Sequence, residues 1–175
     1  SRGDAAGEMG DALPAVDLGT GRTATAVAAG LTFTCARLDN GSVKCWGVNN
    51  FGQLGLGDTA SRGDGAGEMG DALPAVDLGP GRTAVAIAVG STHACAILDD
   101  GSVKCWGRNS IGQLGLGDTA NRGDNAGEMG AALPAVPLGT GRTAVALALG
   151  GDHTCALLDD NSLKCWGNAN QGQIG

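Results

Sequence analysis

The chain is built from one 60-residue unit that occurs three times in succession. Residues 1–60, 61–120 and 121–175 align without a gap, and only the third copy is cut short. Each copy holds a polar glycine-rich loop, a short apolar run, and three further apolar segments that are separated by turns. A unit of this size cannot bury an apolar face alone and requires a like neighbour on each side. The sequence therefore predicts a stacked array of three equivalent units with these boundaries.

The segment from Ala84 to Val89 alternates between alanine and a larger branched residue. Val85, Ile87 and Val89 fall on one face and three alanines on the other, and residues 144–149 repeat the pattern. A period of two predicts a β-strand, and the segment is too short for a stable helix. Because both faces are apolar, we expect both to be covered, with the large side chains of one sheet filling the shallow alanine face of the next.

The phrase "CAILDDGSVKCWG" at 95–107 predicts a tight β-hairpin, and each copy contains a version of it. We expect a three-residue loop at 99–101 with glycine in the left-handed region. This register places Cys95 opposite Cys105 at a non-hydrogen-bonded pair, where the Cα atoms come close enough for a disulfide. In the third copy Asn161 replaces the glycine, and asparagine also tolerates a positive φ.

The cysteine spacing therefore predicts one disulfide within each unit. Reduced core thiols and a metal site are the alternatives, but zinc sites use closer cysteine pairs or shared histidines. His93 and His153 align with Phe33, so the copies share no histidine ligand. Three disulfides indicate an oxidising compartment: the periplasm, the cell surface or the extracellular space. The predicted pairs are Cys35–Cys45, Cys95–Cys105 and Cys155–Cys165.

Charge and composition narrow the classes of partner. The net charge of −7 argues against nucleic acid, which requires a basic face. No run approaches the ~20 apolar residues of a membrane span. Since the chain begins and stops within repeat-like sequence, we expect a piece of a longer protein. Its predicted partners are further copies of the repeat, in the same chain or in neighbouring subunits, and another protein.

The second half of each unit resembles the repeat of the regulator of chromosome condensation (RCC1) family. The resemblance lies in Trp106-Gly107 and Gly112-Gln113-Leu114-Gly115, which recur in the other copies with one change, Ile174. The "RGDxxGEMG" loop and "ALPAV" run look like the version found in secreted bacterial proteins. The resemblance implies an all-β fold of four-stranded β-propeller blades, usually seven in a closed ring. Known members include a nuclear exchange factor and a secreted β-lactamase inhibitor, but neither activity carries over residue by residue.

Each unit contains an acidic loop whose role has two possible interpretations. Oxygen ligands in a glycine-rich loop are suited to Ca²⁺, the one cofactor that the sequence suggests, although the spacing matches no standard calcium loop. The alternative is a solvated loop that forms turns, and the same alternative applies to the Arg-Gly-Asp tripeptide within it. The candidate calcium ligands are Asp58, Asp64, Glu68 and Asp71.

The positions that differ between the copies are candidates for a binding surface. They cluster at 31–34 and 48–51 and at the equivalent positions, which lie near loops on the family's scaffold. Neutral drift in exposed turns is the alternative. The candidate residues are Leu31, Phe33, Val48 and Phe51 in the first copy, Ser91, His93, Arg108 and Ile111 in the second, and Asp152, His153, Asn168 and Gln171 in the third.

Two functional hypotheses follow. Near-identical copies do not form one asymmetric constellation of acid, base and nucleophile, so we do not expect an enzyme. The first hypothesis is an extracellular or cell-surface scaffold of disulfide-stapled blades that binds protein through its variable loops. The second is a structural protein whose repeats assemble into an extracellular stalk or filament.

Overall fold

The computed structural model describes residues 2–175, and its regular structure is almost entirely β. Each repeat forms one three-stranded antiparallel sheet, with its strands in chain order. The all-β fold predicted from the repeat is therefore confirmed. The first sheet contains β1 (Ala24–Ala29), β2 (Phe33–Leu38) and β3 (Val43–Gly47), the second β4 (Ala84–Val89), β5 (His93–Leu98) and β6 (Val103–Gly107), and the third β7 (Ala144–Leu149), β8 (His153–Leu158) and β9 (Leu163–Gly167). Short 3₁₀ turns lie at Gly10–Ala12, Gly70–Ala72 and Gly130–Ala132.

The hairpin between the second and third strands has the register that turn chemistry predicts. In the second sheet Cys95 pairs with Cys105, and the Gly101 amide donates to the Leu98 carbonyl at 2.9 Å. Gly101 has φ +77°, and Asn161 takes the same left-handed conformation at φ +65°. All six cysteines form the three expected disulfides, each with a Cα–Cα distance of 4.1 Å.

The first strand of each sheet (β1, β4 and β7), which we call the inner strand, departs from strict alternation. A β-bulge follows Ala84, because Ala84 pairs with Leu98 and Ala86 pairs with Ile97, which leaves Val85 between them without a partner. The side chain of Val85 is consequently 51% exposed instead of sharing the covered face of Ile87 and Val89. The expectation that all three branched residues face one neighbour was therefore wrong at Val85. The same bulge recurs at Thr25 and Val145.

The three sheets stack face to face, and an apolar core fills each junction. Ile87 and Val89 pack on the core that holds the first sheet's disulfide, Val43 and Leu54, whereas Ala86 packs on the core toward the third sheet. The branched face of one sheet thus lies on its predecessor, and the alanine face receives its successor. This is the complementary stacking that the alternation predicted.

The first and second sheets are each completed by chain from the next repeat. The Val76 amide donates to the Val43 carbonyl at 2.8 Å, and Gly47 forms an isolated bridge with Arg62. Lys104 joins the second and third repeats, since its Nζ donates to the Leu78 carbonyl at 3.0 Å and to the Gly130 carbonyl at 2.7 Å. We call each sheet a blade, together with its irregular bordering chain in the first two. The expected fourth strand is therefore an irregular segment that belongs to the following repeat.

Candidate functional site

The two variable stretches of each repeat meet on one side of its blade. The Val48 amide donates to the Thr32 carbonyl at 3.0 Å, Arg108 donates to Thr92 in the same way, and Asn168 to Asp152. The loop after the first strand and the loop after the third strand are therefore neighbours in every blade. We call the side formed by residues 30–32 and 48–57 and their equivalents the loop face. The hairpin turns lie at the other end of the strands.

A groove of about 310 Å³ crosses the loop face where the inner strands end. Its walls come from all three blades and include the variable residues Leu31 and Ser91. Leu31 is 76% exposed, which is high for a leucine and leaves its apolar side chain available for contact. The remaining lining residues are Ala29, Gly30, Val89, Gly90, Leu149, Gly150 and Gly151.

Other variable side chains form the outer part of the loop face. Ile111 is 43% exposed, and the Arg108 guanidinium lies 5.3 Å from the centre of the Phe51 ring, a cation–π contact that joins two blades. Val48, Ser91, Arg108, Asp152 and Asn168 are partly exposed, and Gln171 is exposed. These side chains are accessible, as a binding surface requires.

Three of the candidate binding residues do not belong to this surface. Phe33 and His93 are buried, with 3% and 0% of their surfaces exposed, and His153 is half-buried at the equivalent place. Their strands open at these residues, and the side chains point into the junction between blades. The expectation that Phe33 and His93 contact a partner is therefore corrected: they are interior residues that join the blades.

His93 lies in a hydrogen-bonded chain between the second and third blades. Its Nε2 is 3.0 Å from Thr154 Oγ1, and that hydroxyl donates to the Gln113 carbonyl at 2.9 Å. Because the hydroxyl proton is used on Gln113, the imidazole must be the donor from Nε2. Burial lowers the pKa of His93 to about 4, against a smaller opposing effect of the Asp152 carboxylate. The ring is therefore neutral at neutral pH.

Buried asparagine side chains fix the conformation of the loop face, a role that was not predicted from the sequence. Asn109 Nδ2 donates to the Asp118 and Ala120 carbonyls at 2.9 and 3.0 Å, and its Oδ1 accepts from the Leu114 amide at 2.9 Å. Trp106 Nε1 donates across the blade junction to the Gln53 carbonyl at 3.1 Å. Asn49 repeats the first arrangement, although Ala169 stands at this position in the third copy. The sequence signal for this role is the asparagine that follows Trp-Gly by two positions in the first two copies.

Three of the four candidate calcium ligands, Asp58, Glu68 and Asp71, are each engaged by a different partner. Asp58 forms an ion pair with Arg62 at 2.6 Å, and Glu68 Oε2 accepts from the amides of Gly63 and Gly65. The Gly65 amide and the other backbone donors lower the pKa of Glu68. Asp71 accepts instead from Thr20 of the preceding repeat. Within residues 2–175 no group of three carboxylate, histidine or cysteine side chains is arranged to hold a metal ion.

In these contacts the acidic side chains stabilise turns within the loop itself. The glutamate of each "RGDxxGE" segment caps the amides of its own loop, at Glu8, Glu68 and Glu128 alike. The Arg62 and Arg122 side chains are held by Asp58 and Asp118 at 2.6 Å. The arginine of the tripeptide is thus engaged within the loop in both of these copies.

Comparison with known proteins supports the family that the motifs indicate. The family model described as the regulator of chromosome condensation (RCC1) repeat matches residues 24–53, 84–113 and 144–173, and a second model of this repeat matches 40–97 and 100–157. No helix in the described part of the chain, residues 2–175, is long and apolar enough to cross a membrane.

Similar proteins are much longer than this chain. The Ultraviolet-B receptor UVR8 of Arabidopsis thaliana is 32% identical over 156 residues, which cover 89% of this chain and 32% of the receptor. The X-linked retinitis pigmentosa GTPase regulator of Mus musculus is 35% identical over 136 residues, which cover 78% of this chain and 12% of the regulator. The chain therefore spans a third or less of each of these relatives.

Solved structures share the fold. Human WBSCR16 has a TM-score of 0.65 at 23% identity, over 85% of this chain and 35% of that protein. Prp20p from Saccharomyces cerevisiae, a protein studied for its binding to Gsp1p and histones, has a TM-score of 0.61 at 23% identity, over 85% of this chain and 33% of Prp20p. The repeat motifs, the stacked blades and the family matches agree, and the chain belongs to the RCC1 repeat family.

Proposed function

We propose that this chain is a non-enzymatic scaffold that binds another protein through the loop face. The observation that carries the proposal is the groove that crosses all three blades and includes variable residues in its walls. The frame beneath it is rigid, since buried Asn49 and Asn109 fix the loops and Trp106 links adjacent blades. Variable side chains on a fixed frame are the usual arrangement of a recognition surface.

The proposed compartment is extracellular, at the cell surface or in the periplasm. The support for this compartment is that all six cysteines form disulfides within their own hairpins. Structural disulfides are typical of proteins in oxidising compartments. The acidic loop and the "ALPAV" run also resemble the version of the repeat found in secreted bacterial proteins. Quantifying thiols in protein isolated from its native compartment, with alkylation at lysis, tests this: three free-thiol pairs would contradict it.

The binding surface is tested with two variants. One alters the loop face, and the other alters the opposite end of the blades, near the hairpin turns. The loop-face variant carries Leu31→Asp, Ile111→Asp and Gln171→Arg. The matched control carries Pro80→Arg and Thr140→Arg, exposed equivalent positions near the hairpin turns. A protein that cross-links to the wild-type chain in native extract is expected to bind the control and to be lost with the loop-face variant. Equal loss with both variants, or loss with the control alone, would contradict the proposal.

A structural role is the second candidate, and the open sides of the outer blades favour it. Leu163 is 65% exposed, whereas its equivalents Val43 and Val103 are completely buried by the following repeat. Leu13 and Val16 are 38% and 54% exposed, whereas their equivalents in the second repeat, Leu73 and Val76, are buried. We propose that further copies of the repeat cover both sides. Electron microscopy of native material distinguishes the candidates, since discrete discs indicate a module and continuous fibres a structural polymer.

A further inference from the structure

The two blade junctions of this chain differ at one buried pair of residues. The first residue of the second strand in one blade meets the second residue of the corresponding strand in the next blade. Between the first and second blades the pair is Phe33 and Ala94, which lie in the same apolar core at 3% and 1% exposure. Between the second and third blades it is His93 and Thr154, both fully buried, with Nε2 and Oγ1 3.0 Å apart.

In each pair the two facing groups are matched in hydrogen bonding. Thr154 provides His93 with the acceptor that a buried imidazole N–H needs, while the Thr154 hydroxyl itself donates to the Gln113 carbonyl. At the first junction the apolar Phe33 ring shares its core with the Ala94 methyl group and needs no acceptor. We expect mixed pairs to be unfavourable, because histidine against alanine leaves a buried donor unsatisfied. Phenylalanine against threonine places a larger ring against a larger, polar neighbour.

We propose that this residue pair determines which blade can lie beside which: histidine accepts a following blade with threonine, and phenylalanine accepts a following blade with alanine. The rule extends to the open sides of the chain. The third blade offers His153, and the first blade carries Thr34. The open side of the third blade is therefore matched to the first blade of a second copy of this chain, joined as the second and third blades are joined. This extension rests on the proposed covering of both ends by like repeats, whereas the rule itself does not.

A double-mutant cycle within the full chain tests the rule at the internal junction. His93→Phe and Thr154→Ala are each expected to raise the unfolding equilibrium constant tenfold or more. Together they recreate the Phe33–Ala94 pair and are expected to bring that constant back to within about threefold of the wild-type value. Thr34→Ala is the matched control at concentrations where the chain is monomeric, since Thr34 then has no preceding blade, and its effect is expected to be less than threefold. A double variant as unstable as the sum of its single changes would overturn the rule.

A nuclear magnetic resonance measurement gives a second readout that does not depend on unfolding. The wild-type chain is expected to show a His93 imidazole N–H resonance that exchanges slowly with solvent. Thr154→Ala, which removes only small groups, is expected to make that proton exchange at least tenfold faster. An unchanged exchange rate would show that Thr154 is not the acceptor and would overturn the pairing.

Sedimentation of the full chain tests the extension to the open sides. The wild-type chain is expected to associate head to tail, Thr34→Ala and His153→Phe to weaken association at least fivefold, and the two changes together to restore it. A wild-type chain that stays monomeric would overturn the covering of the ends by like repeats. Association that ignores all three variants would leave that covering intact and overturn the pairing between His153 and Thr34.

Discussion

At the scale of single residues, the contacts that join blades are formed by side chains that the repeat places at the blade surface. His93 reaches Thr154, and Trp106 reaches the Gln53 carbonyl, in each case across about one repeat length of sequence. Because these side chains are buried, the protonation state of His93 and the space around Trp106 affect the stability of the fold directly. Two predictions belong to this scale.

The stability of the chain is expected to fall between pH 6.5 and pH 4 because of His93. Its pKa is lowered from 6.5 to about 4 in the folded state, so in this range the unfolded chain binds a proton that the folded chain does not. The free energy of unfolding therefore decreases as the pH is lowered, by up to about 3 kcal/mol. The variant that combines His93→Phe and Thr154→Ala keeps His153 but is expected to lose this dependence. Urea unfolding at a series of pH values measures it, and an equal slope in both proteins would contradict the assignment.

Two glycines with the same backbone conformation are expected to differ in their tolerance of alanine. Gly55 and Gly112 have φ of +67° and +76°, so alanine costs about 1–2 kcal/mol of conformational strain at both. A Cβ on Gly55 would lie 2.9 Å from the Trp106 indole nitrogen, whereas a Cβ on Gly112 would meet nothing within 4 Å. We expect Gly55→Ala to lower the free energy of unfolding by about 1–3 kcal/mol more than Gly112→Ala. Equal losses in denaturant titration would show that Trp106 does not limit the space.

At the scale of elements, the disulfide hairpin is the most self-contained part of each blade. Its turn, its register and its cysteine pair all lie within 13 consecutive residues, as in 95–107. The chain that borders it, by contrast, comes from the next repeat, through Val76 on Val43 and Val136 on Val103. Each blade thus combines a local, covalently closed element with an edge that only the following repeat supplies.

Removing the central disulfide by Cys95→Ala and Cys105→Ala is expected to lower the free energy of unfolding by about 3 kcal/mol through the lost constraint on the unfolded chain. Because both cysteines are fully buried, a cavity term adds to this loss. The matched pair Cys155→Ala and Cys165→Ala removes an equal loop from a partly exposed site, so its loss is expected to be smaller. Denaturant unfolding measures both. Peptide mapping without reduction checks the pairing, and cross-blade links would contradict the hairpin register.

At the scale of the whole molecule, the chain has two open sides of complementary character. One presents Val27 and the "ALPAV" run with Leu13 and Val16, and the other presents Leu157 and Leu163. The internal junctions show how such surfaces fit, because the equivalents of these apolar residues are buried or partly buried there. A face-to-tail contact of this kind either closes into a ring or continues as a filament.

Isolated chains are therefore expected to associate in a concentration-dependent way, and charge on an open side is expected to prevent it. Leu163→Lys or Val16→Lys places a cation in the contact and is expected to weaken association at least tenfold. Ile111→Lys is the control, since Ile111 is an exposed apolar residue of the loop face. Light scattering over a concentration series measures the change. A stable wild-type monomer would contradict apolar stacking at the ends.

The sequence by itself determined the features that depend on neighbours within about ten residues. The hairpin turn, the left-handed positions at Gly101 and Asn161, and the cysteine register follow from turn chemistry and strand alternation, which act locally. The repeat length then implied a stack, because an isolated small sheet cannot cover its own faces.

Only the tertiary structure decided how residues some 60 positions apart meet. The burial of Phe33 and His93 and the contact of Asp71 with Thr20 each depend on another repeat of the chain. The same holds for the bordering run, which is an apolar segment of one repeat in the sequence but an edge of the preceding sheet in space. A side chain becomes buried when a neighbouring blade covers it. Because the repeats are nearly identical, their sequences do not show which side of a blade the neighbour covers.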